Sequence, residues 1–572
     1  MTWIDGQMFF INWKTAGIFI GIFIAARFNT FGQGYNSLVI SEIMADPIPV
    51  VGLPAVEYIE LYNRGGQPVA LKNWKLAIGT RSATFPDSVI LPGEFVLLCN
   101  KTTAGSFTGF GKIVPLSTFS LPNDGGTISL YQPGNSLVFS VTYEIAWWPS
   151  DKRNGGYAIE MIDTENPCGG QHNWEVSQDT RGGTPAKENS IKRNNPDIEL
   201  PVVQRIDVTS STELRIIANE KLDSAVAVSG TFIDLAGREI VNRKLEPPQF
   251  YNLTVTLDFP LLAGETYNLS IKNLSDCAGN ILRQSDFTIG LPSKPDSGDV
   301  VLNEILFNPP EGGVDFVEIY NTSRKYIDLK NWLLGNVKDG QPDVFRTITA
   351  ENYILPPFGY LALTTNPELV QSLYPANRFG NFLRLPSLPA YSNIEGGVIL
   401  KNQESRIYDR FDYNEDMHDP LITDRKGVSL EKSGTNISSE IVSNWHSAAA
   451  TTGNATPGYA NSQIKTNIEK DFFDVEPEAF SIDNRVGDFA KIKYKLSQSG
   501  KIATINIYDI NGRLVKNLLK NQLVGTDGEI SWDGRKENGD LVQTGYYLIL
   551  IDIFDPTGQK AQYKRKVVVV KN

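Results

Sequence analysis

Residues 39–76 read VISEIMADPIPVVGLPAVEYIELYNRGGQPVALKNWKL, and residues 301–334 read VLNEILFNPPEGGVDFVEIYNTSRKYIDLKNWLL. The second stretch repeats the first. Glu42 matches Glu304, Glu60 matches Glu318, Asn63 matches Asn321, and Leu71-Lys72-Asn73-Trp74 matches Leu329-Lys330-Asn331-Trp332. The match resumes downstream, where Asn173-Trp174, Thr184-Pro185 and Asn189-Ser190 answer Asn444-Trp445, Thr456-Pro457 and Asn461-Ser462. Each copy is therefore a domain of roughly 150–165 residues, well beyond the about 20–50 of a solenoid repeat.

Inside the first copy, Val39, Ser41 and Ile43 alternate with Ile40, Glu42 and Met44, the period of a strand. A proline-containing loop at 46–54 leads to a second run at 57–62, and Arg64-Gly65-Gly66 turns the chain again. Short runs at this spacing, separated by turn residues, predict an all-β sandwich or barrel rather than an α/β fold.

The 572 residues suggest three to five domains at roughly 100–200 residues each. A net charge of −12 without a basic stripe argues against nucleic acid as a partner. Cys99, Cys168 and Cys277 lack zinc-ligand spacing, permit at most one disulfide, and are read as small buried apolar residues. After Lys14 the apolar run Ala16–Ala26 is too short for a stable transmembrane span, which needs about 20 residues. It fits the core of a signal peptide occupying 1–34.

The order Glu42, then Glu57-Tyr58-Ile59-Glu60-Leu61-Tyr62-Asn63, then Leu71-Lys72-Asn73-Trp74 is followed late in each copy by a further motif. That motif is Gly156-Tyr157-Ala158-Ile159-Glu160 in the first copy and Gly427-Val428-Ser429-Leu430-Glu431 in the second. Together these resemble the bacterial lamin-tail domain family over 37–190 and 299–462. The resemblance implies immunoglobulin-like β-sandwiches, non-catalytic modules of secreted and surface proteins. Residues 199–291, closing on Asp276-Cys277-Ala278-Gly279-Asn280, resemble bacterial Ig-like spacer domains. Residues 474–572 carry Ile507-Tyr508-Asp509-Ile510-Asn511-Gly512-Arg513 and Gly545-Tyr546-Tyr547. They resemble the Ig-like domain of flagellar-hook capping proteins and, equally, the type IX secretion sorting domains of Bacteroidetes. That likeness implies the outer-membrane secretion machinery as a partner and an extracellular or outer-membrane surface location. The fold class expected for the whole chain is all-β, a tandem of immunoglobulin-like sandwiches.

Candidate chemistry is sparse. Glu42 with Glu60, and Glu304 with Glu318, are carboxylate pairs of the kind glycoside hydrolysis uses, but their apolar and aromatic surroundings favour a structural role bonding loop amides. Asp412, Glu415, Asp416 and Asp419 form an acidic loop, the candidate site for calcium, which takes six to eight oxygens. Asp483, Asn484 and Asp488 make a thinner one. Trp147 and Trp148 are adjacent, so one can enter the core while the other serves as a platform for a surface glycan or protein ligand. No nucleophile elbow, P-loop or metal-type histidine pair occurs, and no cofactor beyond calcium is expected. The expectation is a non-catalytic adhesion or envelope protein, exported by Sec and then type IX secretion. The alternative is a carbohydrate-binding accessory protein.

Overall fold

The computed structural model describes residues 34–571, apart from 236–237, 375–379, 483–488 and 556. The expected signal peptide, up to its last residue, and the Asp483–Asp488 candidate lie outside the described residues. The chain divides into two compact units, one ending at Asp197 and one beginning at Ile198. No helix among the described residues is long and apolar enough to cross a membrane.

In the first unit a six-stranded sheet runs in the order Trp174–Val176, Ile159–Met161, Leu38–Met44, Tyr58–Asn63, Phe95–Asn100, Lys112–Leu116. It packs on a four-stranded sheet of Ser136–Glu144, Gly125–Gln132, Lys75–Ile78 and Arg81–Thr84. Ile40, Ile59, Leu61, Trp74, Val96 and Leu130 are among the residues filling the space between them. The outer face of the larger sheet is covered as well, because Met44, Tyr58, Leu97 and Cys99 pack there with Phe107 and Ala158. Strand Leu38–Met44 is consequently buried along its whole length.

Strict alternation breaks in that strand. A β-bulge between Ile40 and Glu42 shifts the register against Tyr58–Asn63, so Ile40 and Ile43 both reach the core while Glu42 turns outward. The same bulge lies between Leu302 and Glu304 in the second copy. Asn73 and Asn331 sit at φ 63° and φ 60°, a left-handed turn that asparagine tolerates, and each delivers the following tryptophan to the core.

The second unit holds three domains. In the first, Val203–Ser210, Glu213–Ala218, Asn252–Leu257 and Ile240–Leu245 form one sheet. Phe232–Leu235, Thr266–Ser275 and Ile281–Gly290 form the other. The Asp276 carboxylate closes its turn by accepting the amides of Ala278, Gly279 and Asn280 at 2.7–2.9 Å. The second lamin-tail-like copy repeats the strand order of the first: Trp445–Ser447, Leu430–Lys432, Val300–Leu306, Phe316–Asn321, Tyr360–Thr364, Phe382–Arg384. The last domain pairs a sheet of Phe472–Glu476, Ala490–Lys495 and Asp527–Trp532 with a five-stranded sheet. In that sheet Lys560–Val570 lies between Ala479–Ser481 and Gly545–Phe554. The fold is all-β, with immunoglobulin-like sandwiches in both repeat copies.

Both junctions within this unit are direct contacts. Arg215 reaches Glu351 (3.2 Å), the Arg205 guanidinium lies 4.7 Å from the Tyr353 ring centroid, and the absent side chain of Gly290 makes room for the Tyr326 ring. On the other side, Gln463 donates to the carbonyl of Val524 (3.2 Å) and accepts from the Gly500 amide (2.9 Å).

Candidate functional site

The duplicated glutamates belong to a row of three. Ile159–Met161, Leu38–Met44 and Tyr58–Asn63 are neighbouring strands, and their register sets Glu160 opposite Glu42 and Glu42 opposite Glu60. Residues opposite one another on adjacent strands share a face, so three carboxyl groups stand side by side. Each is 0% exposed.

The lid over them is residues 183–191. Glu42 Oε1 accepts the Tyr58 hydroxyl (2.7 Å) and the Thr184 amide (2.8 Å). Glu60 accepts Ser41 Oγ (2.7 Å) on one oxygen and the Ala186 amide (2.7 Å) on the other. Glu160 accepts Thr184 Oγ1 (2.9 Å), Ser190 Oγ (2.8 Å) and the Ile191 amide (3.3 Å). Asn189 pins the lid to the strand backbone through the carbonyls of Ser41 and Met161.

The second copy repeats the arrangement with two donors exchanged, Ser429 for Tyr58 and Asn303 for Ser41. Glu304 accepts the Ser429 hydroxyl and the Thr456 amide (2.8 Å), and Glu318 accepts Asn303 Nδ2 (2.7 Å) and the Gly458 amide (2.5 Å). Glu431 accepts Thr456 Oγ1 (2.7 Å), Ser462 Oγ (2.7 Å) and the Gln463 amide (3.0 Å). Gln463 also bonds into the last domain, so this row anchors the segment that enters it.

The donors are amides and hydroxyls rather than cations, so burial dominates the electrostatics. Burial, and then the neighbouring Glu160, push Glu42 up to about 8. Burial and then Glu431 do the same to Glu304, and burial raises Glu431 to about 7. Glu60 and Glu318 are held well above the ordinary carboxyl range by burial and then by Glu42 and Glu304 respectively. Glu42 and Glu304 therefore favour the protonated form at neutral pH. Glu42 Oε1 accepts two donors, whereas Oε2 has no partner.

A hydrolytic pair needs a cleft that substrate and water can enter. These carboxyls are sealed under their own chain and bonded to it, so the arrangement fastens the closing segment of each sandwich. The third members, Glu160 and Glu431, escaped the pairwise reading of the sequence, although each ends the late repeated motif.

The other candidates are placed differently from expectation. Trp148 is 4% exposed, donates to the Tyr157 carbonyl (2.8 Å) and meets Tyr143 edge-on, so it offers no free face. Trp147 is half-buried against Trp174, at a centroid distance of 6.1 Å. At the same place in the second copy stand Met417 and His418. His418 is buried, bonds Ser447 Oγ (2.9 Å) and is lowered to about 4 by burial and then Arg425.

The acidic loop does not gather its carboxylates for calcium. Asp412, 57% exposed, pairs with Arg410 (2.8 Å), and Arg425 reaches Glu415 (3.6 Å) and Asp416 (3.2 Å). Asp419 caps the following loop through the Leu421 amide (2.9 Å). Among the cysteines, Cys99 is free and buried.

A family model described as Lamin Tail Domain matches residues 32–144 and 293–415. Both matches stop short of the strands bearing Glu160 and Glu431. No curated protein matches the chain. Among solved structures, the chain is similar to the N-terminal part of the bacterial S-layer protein SbsC, with 19% identity over 27% of this chain and 41% of that one, TM-score 0.16. It is also similar to dimeric latent PorU from Porphyromonas gingivalis, with 11% identity over 70% of this chain and 36% of that one, TM-score 0.15. A third is PorZ, a surface component of the type-IX secretion system of Porphyromonas gingivalis, with 10% identity, 86% and 75% coverage and TM-score 0.15. The chain spans 41% and 36% of the lengths of the first two.

Proposed function

We propose that this chain is a secreted or cell-surface modular protein without catalytic activity, serving adhesion or the structure of the envelope or matrix. The observation that carries the reading is the use made of the chain's densest polar constellations. Six buried glutamates, three per copy, spend their acceptors on the closing segments of their own domains. The lamin-tail regions fit a surface module, and direct bonds at both junctions of the second unit fit a load-bearing arrangement of domains.

Export proceeds in this reading by Sec, with residues 474–572 engaging the outer-membrane type IX machinery. Deleting Asp474–Asn572 tests that route: secretion is expected to stop, and unchanged secretion overturns it. A second reading, a carbohydrate-binding accessory protein, rests on Trp147, the tryptophan of the pair that keeps an accessible edge. Glycan binding that survives Trp147→Ala removes that reading.

A further inference from the structure

The two copies differ beside their glutamate rows. In the first, Glu57 precedes Tyr58 and its carboxylate accepts the Leu121 amide (3.0 Å) from a neighbouring loop. In the second, the same position is Asp315, one methylene shorter, and its carboxyl group has no hydrogen-bond or ionic partner. It lines an open depression of about 520 Å³ whose sides include Pro309, Val314, Pro386, Leu388 and Pro389, with Ser387 and Asn393 among them. That volume suits a small ligand. Gly313 permits the tight entry of this loop, since a Cβ there would lie 2.9 Å from the Pro310 carbonyl oxygen.

A half-buried carboxyl among prolines and a leucine has lost water without gaining a donor. Burial raises Asp315 to about 7. The Tyr391 hydroxyl, which interacts electrostatically with Asp315, is also buried without a partner. On the rim Asn393 donates its amide to Asn308 (3.2 Å), leaving its oxygen as an acceptor. Prolines and a leucine beside an anionic carboxyl and an amide oxygen, along one open depression, fit one chemical class: a positive head on an alkyl stem.

We propose that the Asp315 depression binds a primary alkylammonium group, the chemistry of a lysine side chain. The ammonium sits on the Asp315 carboxylate and the stem lies along Pro309, Pro386 and Leu388. Copy one cannot do this, because its longer Glu57 is engaged by the loop. The proposal does not depend on where the protein resides.

The titratable groups around Asp315 are the hydroxyls of Tyr391 and Tyr413, which burial pushes upward, and beyond Thr365 the Arg384–Glu368 pair. Asp315 is thus the group whose ionisation near neutrality gates binding. The test titrates n-butylammonium, n-butanol and Nα-acetyl-lysine amide into the full chain at physiological salt, followed by calorimetry. Saturable binding of both amines at pH 8, absent for butanol, at least tenfold weaker in Asp315→Asn and fading as the pH falls below about 7, is expected. Asp315→Glu is expected to weaken binding similarly, by folding onto the loop as Glu57 does. No saturable amine binding at pH 8, or equal binding by Asp315→Asn, overturns the proposal. If Asp315→Asn does not fold, wild-type affinity that stays constant from pH 8 to below 6 overturns it instead.

Discussion

Glu42 and Glu60 face each other across two antiparallel strands, both wholly buried, and neither meets a cation. Their difference lies in how many oxygens are taken. Glu42 leaves Oε2 without a partner, whereas Glu60 accepts donors on both. Glu42→Gln is therefore expected to be tolerated, its new amide taking the vacant oxygen's place. Glu60→Gln turns an amide toward a donor, Ser41 Oγ or the Ala186 N–H, and is expected to cost about 1–3 kcal/mol in urea unfolding.

The same residue sets a pH dependence. Glu42 is raised from 4.5 to about 8, so the folded state keeps a proton that the unfolded chain releases. The stability this contributes is full below about pH 4.5 and is lost as the pH rises toward about 8. The melting temperature of the wild type is expected to fall over that window, and that of Glu42→Gln to fall less. Parallel melting curves across the window would contradict it.

Much of this was legible in the sequence, and the limits are physical. Duplication exposed Glu42 and Glu60 with their counterparts, and the apolar residues beside them pointed to structure rather than chemistry. The bulge at Ile40–Glu42 was not legible, because an extra residue leaves no mark on an alternating pattern. Glu160 stayed outside the row because strand pairing over a long separation, here with a residue 118 positions earlier, is a property of the fold. The sequence leaves open which of Trp147 and Trp148 enters the core, and the 3-10 turn at Ile145–Trp147 decides it for Trp148. The acidic loop reads as solvated, with calcium as the alternative, and the pairing of Arg425 with Glu415 and Asp416 is a contact that only the fold reveals.

Thr184 serves two carboxyls at once, its amide on Glu42 and its hydroxyl on Glu160. Thr184→Val removes the second bond while keeping shape, so a loss of about 1–3 kcal/mol is expected. Hydrogen exchange is expected to quicken across 183–191 and not across 455–463. Thr456→Val is expected to give the reverse, and equal exchange in both segments would contradict independent lids.

Lys501 and Asp471 form a buried ion pair at 2.6 Å, with side chains 8% and 5% exposed. Although burial alone would raise Asp471, hydrogen bonds from Lys501 and Ser497 hold it below the usual range. Its stabilising effect is therefore present at neutral pH and lost as the pH falls through the carboxyl range. Asp471→Ala leaves a buried ammonium and is expected to cost about 3–5 kcal/mol, measured by denaturant unfolding.

Trp148 and Trp147 are expected to separate cleanly in mutation. Trp148→Ala opens the core and is expected to cost about 3–5 kcal/mol, whereas half-buried Trp147→Ala costs less. Equal losses would contradict the placement.

The central claim is that the chain works outside the cell, and fractionation of the native cells tests it most directly. Full-length chain and chain lacking Asp474–Asn572 are followed through cytoplasm, periplasm, outer membrane and medium, with protease shaving of intact cells. The account predicts full-length protein that is protease-accessible on the surface or released, and truncated protein retained in the periplasm. Full-length protein confined to the cytoplasm would contradict it.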